Sequence, residues 1–458
     1  MEKYRLSPGM LPAIFALAWP TMLEQLLHTA VQYVDTAMVG SLGTYATAAV
    51  GATSTVNWLV GSTLSALGVG FLAYISQAFG EGEREKAVRA SAQAVLAALV
   101  GGALFTVLTL SLSRHVPVWM QVDSGIQELA GQYFFILYSP MLFRAASIIF
   151  GTVLRAAGDT KTPMRVGLLV NLVNVVLNFF LIYPTRTFHG ILIPGAGMGV
   201  LGAAVASAIA FAVGGICITV ALWRHPVISP RGCSIRPDRQ ILLPCLKVAL
   251  PNALQRFGTS LGYVAFASMI NSVGDIATAA HTIANTVESA FYIPGYGMQT
   301  AAATLAGNAW GAGDQERIRR LGRTVLTVEV GLMLLSGGLL FAFAPTMMGI
   351  FSKDQQVILL GVTVLRMVAV SEPFYGVSII IEGMLQGMGR TMVPFVCNII
   401  GMWGVRILGT YLCTQHLGMG LIAAWACMIA HNLLLFVMFS VYYGSGHWKK
   451  GKKLEISS

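Results

Sequence analysis

Glu24, His28, Gln32 and Asp35 interrupt an otherwise apolar run near the start of the chain, at spacings of four, four and three. On a helix those spacings place all four on one face as a polar stripe. A carboxyl in a partly dehydrated stripe can take up and release a proton near neutral pH, and Asp35 is the leading candidate for that chemistry. Two other readings of Asp35 stay open: a permanent pairing with an arginine, and a cap on a broken helix. A second stripe, His281, Asn285, Glu288 and Tyr292, recurs at spacings of four, three and four. Gln255, Arg256, Thr259 and Tyr263, with Glu372 and Glu382, add further polar groups in apolar surroundings. Ionisable residues at membrane depth cost roughly 2.5–3.5 kcal/mol each, so each is a candidate for function. Glu24 also reads as an interfacial charge, and Arg256 as a structural partner of Glu288 or Glu372. Glu382 and the isolated Glu329 read as topological or packing features.

Asn171, Asn174 and Asn178 align at i, i+3 and i+7 in another apolar run. Their amides can hold the Asp35 carboxylate by hydrogen bonds or glue helices together. Tyr33, Trp58, Tyr138, Phe143, Tyr292 and Met298 offer aromatic and polarisable surface suited to a flat organic cation, and equally to ordinary packing. The sequence holds no Gly-rich phosphate loop ending in Gly-Lys-Ser/Thr, no HExxH metal helix and no GxSxG nucleophile elbow. Neither ATP hydrolysis nor any other enzymatic activity is expected. The six Cys lack CxxC spacing, which predicts neither a disulfide frame nor a zinc site. His225, His416, His431 and His447 read as single residues in loops or near helix ends, without a specific role.

These residues need long apolar elements to carry them. Of 458 residues 55% are hydrophobic and 10% charged, where a soluble domain carries roughly 25% charged; this excludes an ordinary soluble enzyme. Twelve spans of roughly 20 residues need about 240 positions, which this composition supplies. Hydropathy predicts runs at 10–38, 47–78, 90–113, 128–152, 164–185 and 199–222, and again at 242–272, 278–308, 321–347, 356–384, 393–413 and 420–444. The first run reads as an uncleaved span rather than a signal peptide.

The second half repeats the first at a constant offset of 231 residues. Pro20 returns as Pro251, Asp123 as Asp354, Phe143 as Phe374, Thr160 as Thr391 and Pro163 as Pro394. A direct repeat of six runs predicts two lobes related by an axis along the membrane normal, as in transporters with a midplane site. We expect a six-helix lobe over 1–222, a basic linker over 223–241 with Pro226, Pro230 and Pro237, and a second lobe with a basic tail over 242–458. The net charge of +10 sits in short loops, as a topology signal rather than a nucleic-acid patch. Of the 29 Lys and Arg, 22 fall on the side of the termini, three on the other side, and Arg144, Arg256, Arg366 and Arg406 within the apolar runs. Both termini and the linker are therefore expected in the cytoplasm.

The chain resembles the multidrug and toxic compound extrusion (MATE) family of bacteria over essentially its whole length. The resemblance rests on Pro20 and the segment Val34-Asp35-Thr36-Ala37-Met38-Val39-Gly40, on Gly80-Glu81-Gly82, on Leu154-Arg155-Ala156-Ala157-Gly158-Asp159-Thr160 ahead of Pro163, and on its echo Leu385-Gln386-Gly387-Met388-Gly389-Arg390-Thr391 ahead of Pro394. It implies an all-α antiporter with two pseudo-symmetric six-helix lobes and a V-shaped central cavity, exporting amphipathic organic cations against a proton or sodium gradient. It also implies coupling at Asp35, with Asn174 and Asn178 close by, and a tenth-helix acid at Glu372. The family's seventh-helix acid is absent, since Gln255, Arg256 and Thr259 stand there. We therefore expect a first-lobe coupling centre of Asp35, Asn171, Asn174 and Asn178, with proton favoured over sodium. The substrate cavity is expected to use Glu24, His28, Gln32, Gln255, Arg256, Tyr263, His281, Asn285, Glu288, Tyr292 and Glu372. No resident cofactor, metal or nucleic-acid partner is expected, and the chain is expected to work as a monomer in the lipid bilayer. A flippase for a lipid-linked precursor, using a related two-lobe fold, is the alternative.

Overall fold

A computed structural model describes residues 9–119, 124–188, 191–450 and 454. Asp123, and Lys3, Arg5, Lys452 and Lys453 of the charge pattern, lie outside the described residues.

Helix covers all twelve apolar runs. The first repeat forms α1 (Met10–Gly40), α2 (Thr44–Glu81), α3 (Arg84–Leu112), a single turn α4 (Val116–Trp119), α5 (Gln127–Tyr138), α6 (Met141–Ala156), α7 (Lys161–Leu181) and α8 (Val200–Trp223). The second forms α9 (Arg239–Asn271), α10 (Asp275–Phe291), α11 (Ile293–Gly311), α12 (Gln315–Phe351), α13 (Gln355–Gly387), α14 (Met392–Ile399), α15 (Leu408–Tyr411) and α16 (Leu421–Gly444). Between α14 and α15 the rod is π-helical over Ile400–Ile407, and after α15 over Leu412–His416. Hydropathy did not foresee β1 (Pro184–Phe188) and β2 (Ile191–Ala196), an antiparallel hairpin between α7 and α8. Its Thr and Ile content favours strand, but the segment is too short to register against the apolar runs.

Among the described residues nine helices are long and apolar enough to cross a membrane, or ten when α5 and α6, bent by 50° at Ser139-Pro140, count as one. Twelve spans were expected; α9 and the α10–α11 pair are the two that do not meet that standard, α10 with 17 residues being too short alone. Pro20, Pro345 and Pro373 sit inside α1, α12 and α13, and Pro244 and Pro251 inside α9. Each removes one backbone donor, a loss that neighbouring helices can make good inside a membrane.

The chain groups into two compact units. One contains Leu23–Phe71 and Arg84–Leu242; the other contains the chain up to Met22, Leu72–Glu83 and everything from Leu243. The division thus differs from the repeat boundary, because α1 and α2 each contribute to both units. In the second-repeat unit Ile14, Leu17 and Ala18 of α1 share a core with Met298, Ala302 and Leu305 of α11 and with Ile380 and Met384 of α13. Backbones approach closely there: a Cβ on Gly80 would lie 1.9 Å from the Asn308 carbonyl oxygen, and on Gly387 1.9 Å from that of Ala303. Small residues at helix crossings give such contact its dispersion energy.

In the first-repeat unit α6 packs on α3 and α8, and α7 on α8. The proline-rich linker is stitched onto α3. Ser91 Oγ donates to the Ile228 carbonyl (2.7 Å), Gln93 Nε2 to that of Arg236 (2.8 Å), and Arg89 pairs with Asp238. His225, expected to be without a role, organises the linker's start: its Nδ1 accepts from the amides of Val227 (3.2 Å) and Ile228 (3.3 Å), with Asp159 Oδ2 3.9 Å from Nε2. Burial holds its pKa below the ordinary histidine range against the opposing pull of Asp159.

Candidate functional site

Asp35 lies in the last turns of α1, half-buried against α7. Asn178 Nδ2 donates to its Oδ1 at 2.6 Å. With the Asn174 amide in the orientation its surroundings favour, its nitrogen donates to both Asp35 oxygens (2.9 and 3.0 Å) and its oxygen accepts from Ser207 Oγ (3.1 Å). The i, i+4 spacing of two buried asparagines puts both amides on the face of α7 that meets α1. Asn171 takes no part in these bonds. No lysine or arginine pairs with Asp35 among the described residues, so the permanent ion pair considered for it is not formed.

The rest of the α1 stripe divides. Glu24 accepts from Arg155 Nη2 at 2.8 Å through each carboxyl oxygen, so its charge is already matched. His28 and Gln32 are exposed. Nearby in this unit Arg144 Nη1 donates to Asn57 Oδ1 (2.5 Å) and its guanidinium stacks over Phe211 (4.9 Å).

The second repeat answers the first with different chemistry. The offset of 231 brings Glu24 and Arg155 onto Gln255 and Gln386. Those two amides do not meet directly; each donates to Glu382 Oε1, at 2.8 and 3.0 Å, and Asn398 Nδ2 donates to Oε2 at 3.2 Å. Glu382 and Asn398 occupy the register positions of Gly151 and Gly167. Glu382, expected to be a packing feature, is therefore the centre of an amide cage, and Gln255 is committed to it. Arg256 donates from Nε to Asn252 Oδ1 (3.1 Å) and forms no ion pair with Glu288 or Glu372 among the described residues, which corrects the pairing considered for it.

Phe266 and Tyr263 stand at the register positions of Asp35 and Gln32. Arg406, on the π-helical turn, stacks over both rings at 4.1 and 4.8 Å. An acid held by amides in one repeat is thus replaced by a buried guanidinium on aromatic faces in the other. Insertions of π-helix often mark functional positions. His281 Nδ1 accepts from Trp425 Nε1 at 3.2 Å. Asn285 is exposed and stands apart from buried Glu288. Tyr292, at the α10–α11 break, donates its hydroxyl to Glu288 Oε1 and packs edge-on against Tyr375 with centroids 5.1 Å apart. Glu372 is fully buried with both oxygens unpartnered. His431 is not a loop residue: it is buried in mid-α16, and neither ring nitrogen has a partner.

Sequence reasoning did not single out Asn57, Ser207 or Asn398, and it named Arg155 and Gln386 only within the family motif and Arg406 only among the arginines of the apolar runs. The constant offset was the one signal able to find some of them, since it aligns Glu24 and Arg155 with two glutamines. Among the described residues no group of three or more His, Cys, Asp or Glu is placed to hold a metal ion. An open cleft of about 570 Å³ beside the α9–α10 turn, lined by Val273, Asp275, Leu360 and Leu421, includes none of the residues above.

Residues 20–180 and 251–412 each match the MatE family model. A probable multidrug resistance protein NorM of Thermotoga maritima is 28% identical over 97% of this chain and 94% of its own. The probable multidrug resistance protein YoeA of Bacillus subtilis is 23% identical over 94% and 92%. Among solved structures, an outward-facing multidrug resistance MATE transporter of the MOP superfamily superimposes with a TM-score of 0.90 at 22% identity, over 97% of this chain and 98% of that one. A MOP superfamily transporter from Pyrococcus furiosus, described as having a binding pocket of reverse polarity, gives 0.89 at 23% identity over 98% and 99%.

Proposed function

Because the chain belongs to the MATE family of multi-pass membrane transporters, we propose that it is a secondary active antiporter exporting amphipathic organic cations in exchange for protons. The observation that carries the reading is Asp35, held by two neutral amides and by no cation among the described residues. Such a carboxylate can be neutralised by an incoming ion without breaking a salt bridge. Proton and organic cation then compete for one charge: Asp35 takes up a proton on the outer side, the substrate leaves, and the two lobes rock once the charge is neutralised. A bare carboxylate opposes that closure because moving it into apolar surroundings is costly.

The amides favour proton over sodium. Hard cations take several oxygen ligands, whereas Asn174 and Asn178 turn nitrogens towards Asp35. Asn178 Oδ1 is without a donor, and one amide oxygen with a single carboxylate makes a thin shell. In this reading the second repeat contributes chiefly to substrate binding through Tyr263, His281, Glu288, Tyr292 and Glu372. The protein acts as a monomer in the inner membrane with both termini cytoplasmic.

A lipid-precursor flippase needs clustered cationic groups facing a pyrophosphate. Arg144 is engaged by Asn57, Arg256 by Asn252 and Arg406 by aromatic rings, while Arg366 is exposed beside Phe341; this dispersal favours the antiporter. The deciding experiment is ethidium efflux from proteoliposomes under separately imposed pH and sodium gradients. Efflux driven by the pH gradient alone supports the proposal. A response to sodium alone moves coupling to oxygen-rich sites, and no efflux under either gradient returns weight to the flippase.

A further inference from the structure

Glu329 is the carboxyl that the antiport reading leaves unused. It lies in α12 at full burial, and among the described residues neither oxygen has a hydrogen-bond partner. No ion pair involves it among the described residues. Glycines on two neighbouring helices make its room: a Cβ on Gly295 of α11 would lie 2.9 Å from Glu329 Oε1, and a Cβ on Gly376 of α13 3.1 Å from it. Glu372, one turn before Gly376 on the same face of α13, is equally buried and unpartnered. It meets α12 at Gly337, where a Cβ would lie 3.3 Å from Glu372 Cβ. Both carboxyls therefore occupy the α12–α13 seam.

The groups facing Glu329 offer no counter-charge. From α13 come Glu372 and, one residue before Gly376, Tyr375; α11 carries no Asp, Glu, Lys, Arg or His. From α10 comes Glu288, within electrostatic range of Glu372, with Tyr292 at the break. An ionised carboxylate without donor or counter-ion in dry packing costs several kcal/mol, whereas a neutral acid leaves a single hydroxyl to accommodate. The site also lies beside two interruptions of helical hydrogen bonding. Gly295 follows the α10–α11 break at Tyr292, Gly376 follows Pro373, and Ser336 Oγ fastens α12 to the break through the Phe291 carbonyl at 2.8 Å.

We propose that Glu329 is a proton-binding site: it holds a proton while the α11–α12–α13 seam is closed, and releases it to water when the seam opens, which leaves Glu329 as the carboxylate. This rests on the proton-antiport reading and adds a deep proton site to it.

The test uses the full chain reconstituted in lipid, with pH-jump infrared difference spectra of wild type and Glu329→Gln. Ethidium efflux is followed in the same vesicles under a pH gradient. The expected result is a protonated-carboxyl band that wild type loses on alkalisation and Glu329→Gln lacks, with fewer protons moved per ethidium exported by the variant. Spectra and proton count indistinguishable from wild type overturn the proposal. Should Glu329→Gln fail to insert, Glu329→Asp retains the acid and must shift that band; an unshifted band overturns the proposal as well. Wild type that ignores the pH gradient defeats the antiport reading, while the band still decides whether Glu329 binds a proton.

Discussion

The chemistry of single side chains is set by what each one touches. Asp35 touches neutral amides, so replacing it by Asn removes the titratable group while keeping its size, with an NH2 in place of one of the two accepting oxygens. Asp35→Asn is expected to insert normally and to reduce gradient-driven ethidium efflux to the rate of empty vesicles; efflux at the wild-type rate would remove Asp35 from the coupling mechanism. His225 touches backbone amides through an unprotonated Nδ1. Its folded-state pKa is lowered, so the unfolded chain binds the proton more readily, and the stability it contributes is present above the ordinary value of 6.5 and lost as pH falls through the lower folded value. Amide exchange corrected for intrinsic rates should show Val227 and Ile228 losing protection on acidification. His225→Ala should show low protection at every pH.

At the scale of elements, the two repeats fasten equivalent helices by different means. The α1–α6 contact uses a Glu24–Arg155 ion pair, and the α9–α13 contact uses Gln255 of α9 on Glu382 of α13, to which Gln386 of the same helix also donates. Glu24→Gln leaves Arg155 without its carboxylate and should cost about 1–3 kcal/mol. Adding Arg155→Gln reproduces the residue pair of the second repeat and should recover part of that loss, with a coupling energy of about 0.5–3 kcal/mol. Thermal unfolding of the four proteins of this cycle in detergent checks it; strictly additive losses would mean the pair does not act as a unit. Twelve apolar runs, their repeat and their approximate ends were legible from hydropathy alone. The α5–α6 bend and the α10–α11 break were not, because hydropathy averaged over a window is blind to a one- or two-residue interruption, and the β1–β2 hairpin was not, because its strands of five and six residues are too short to register against the apolar runs.

For the whole molecule, the excess of Lys and Arg on the side of the termini predicts their placement in the cytoplasm. A protease-cleavable tag on the C-terminus should be cut in inverted membrane vesicles and protected in spheroplasts; the reverse pattern would invert the topology. The second repeat concentrates buried acids and a buried arginine, the first a single amide-held acid. The two halves therefore differ in the buried charge they carry, although they share one pattern of residues.

Composition and periodicity were sufficient to establish a polytopic helical protein with an internal repeat, because apolar length and spacing are properties of the chain itself. The stripe of Asp35 and the asparagine column were readable for the same reason: residues at i, i+3 and i+4 share a face in any helix. Which of those groups meet was decided by tertiary structure alone. Helix rotation and neighbour choice put Asn174 and Asn178, but not Asn171, on Asp35, gave Gln255 to Glu382, and left Glu329 without a partner. Partnership of a buried polar group depends on atoms distant in sequence, and no local pattern along one helix specifies them.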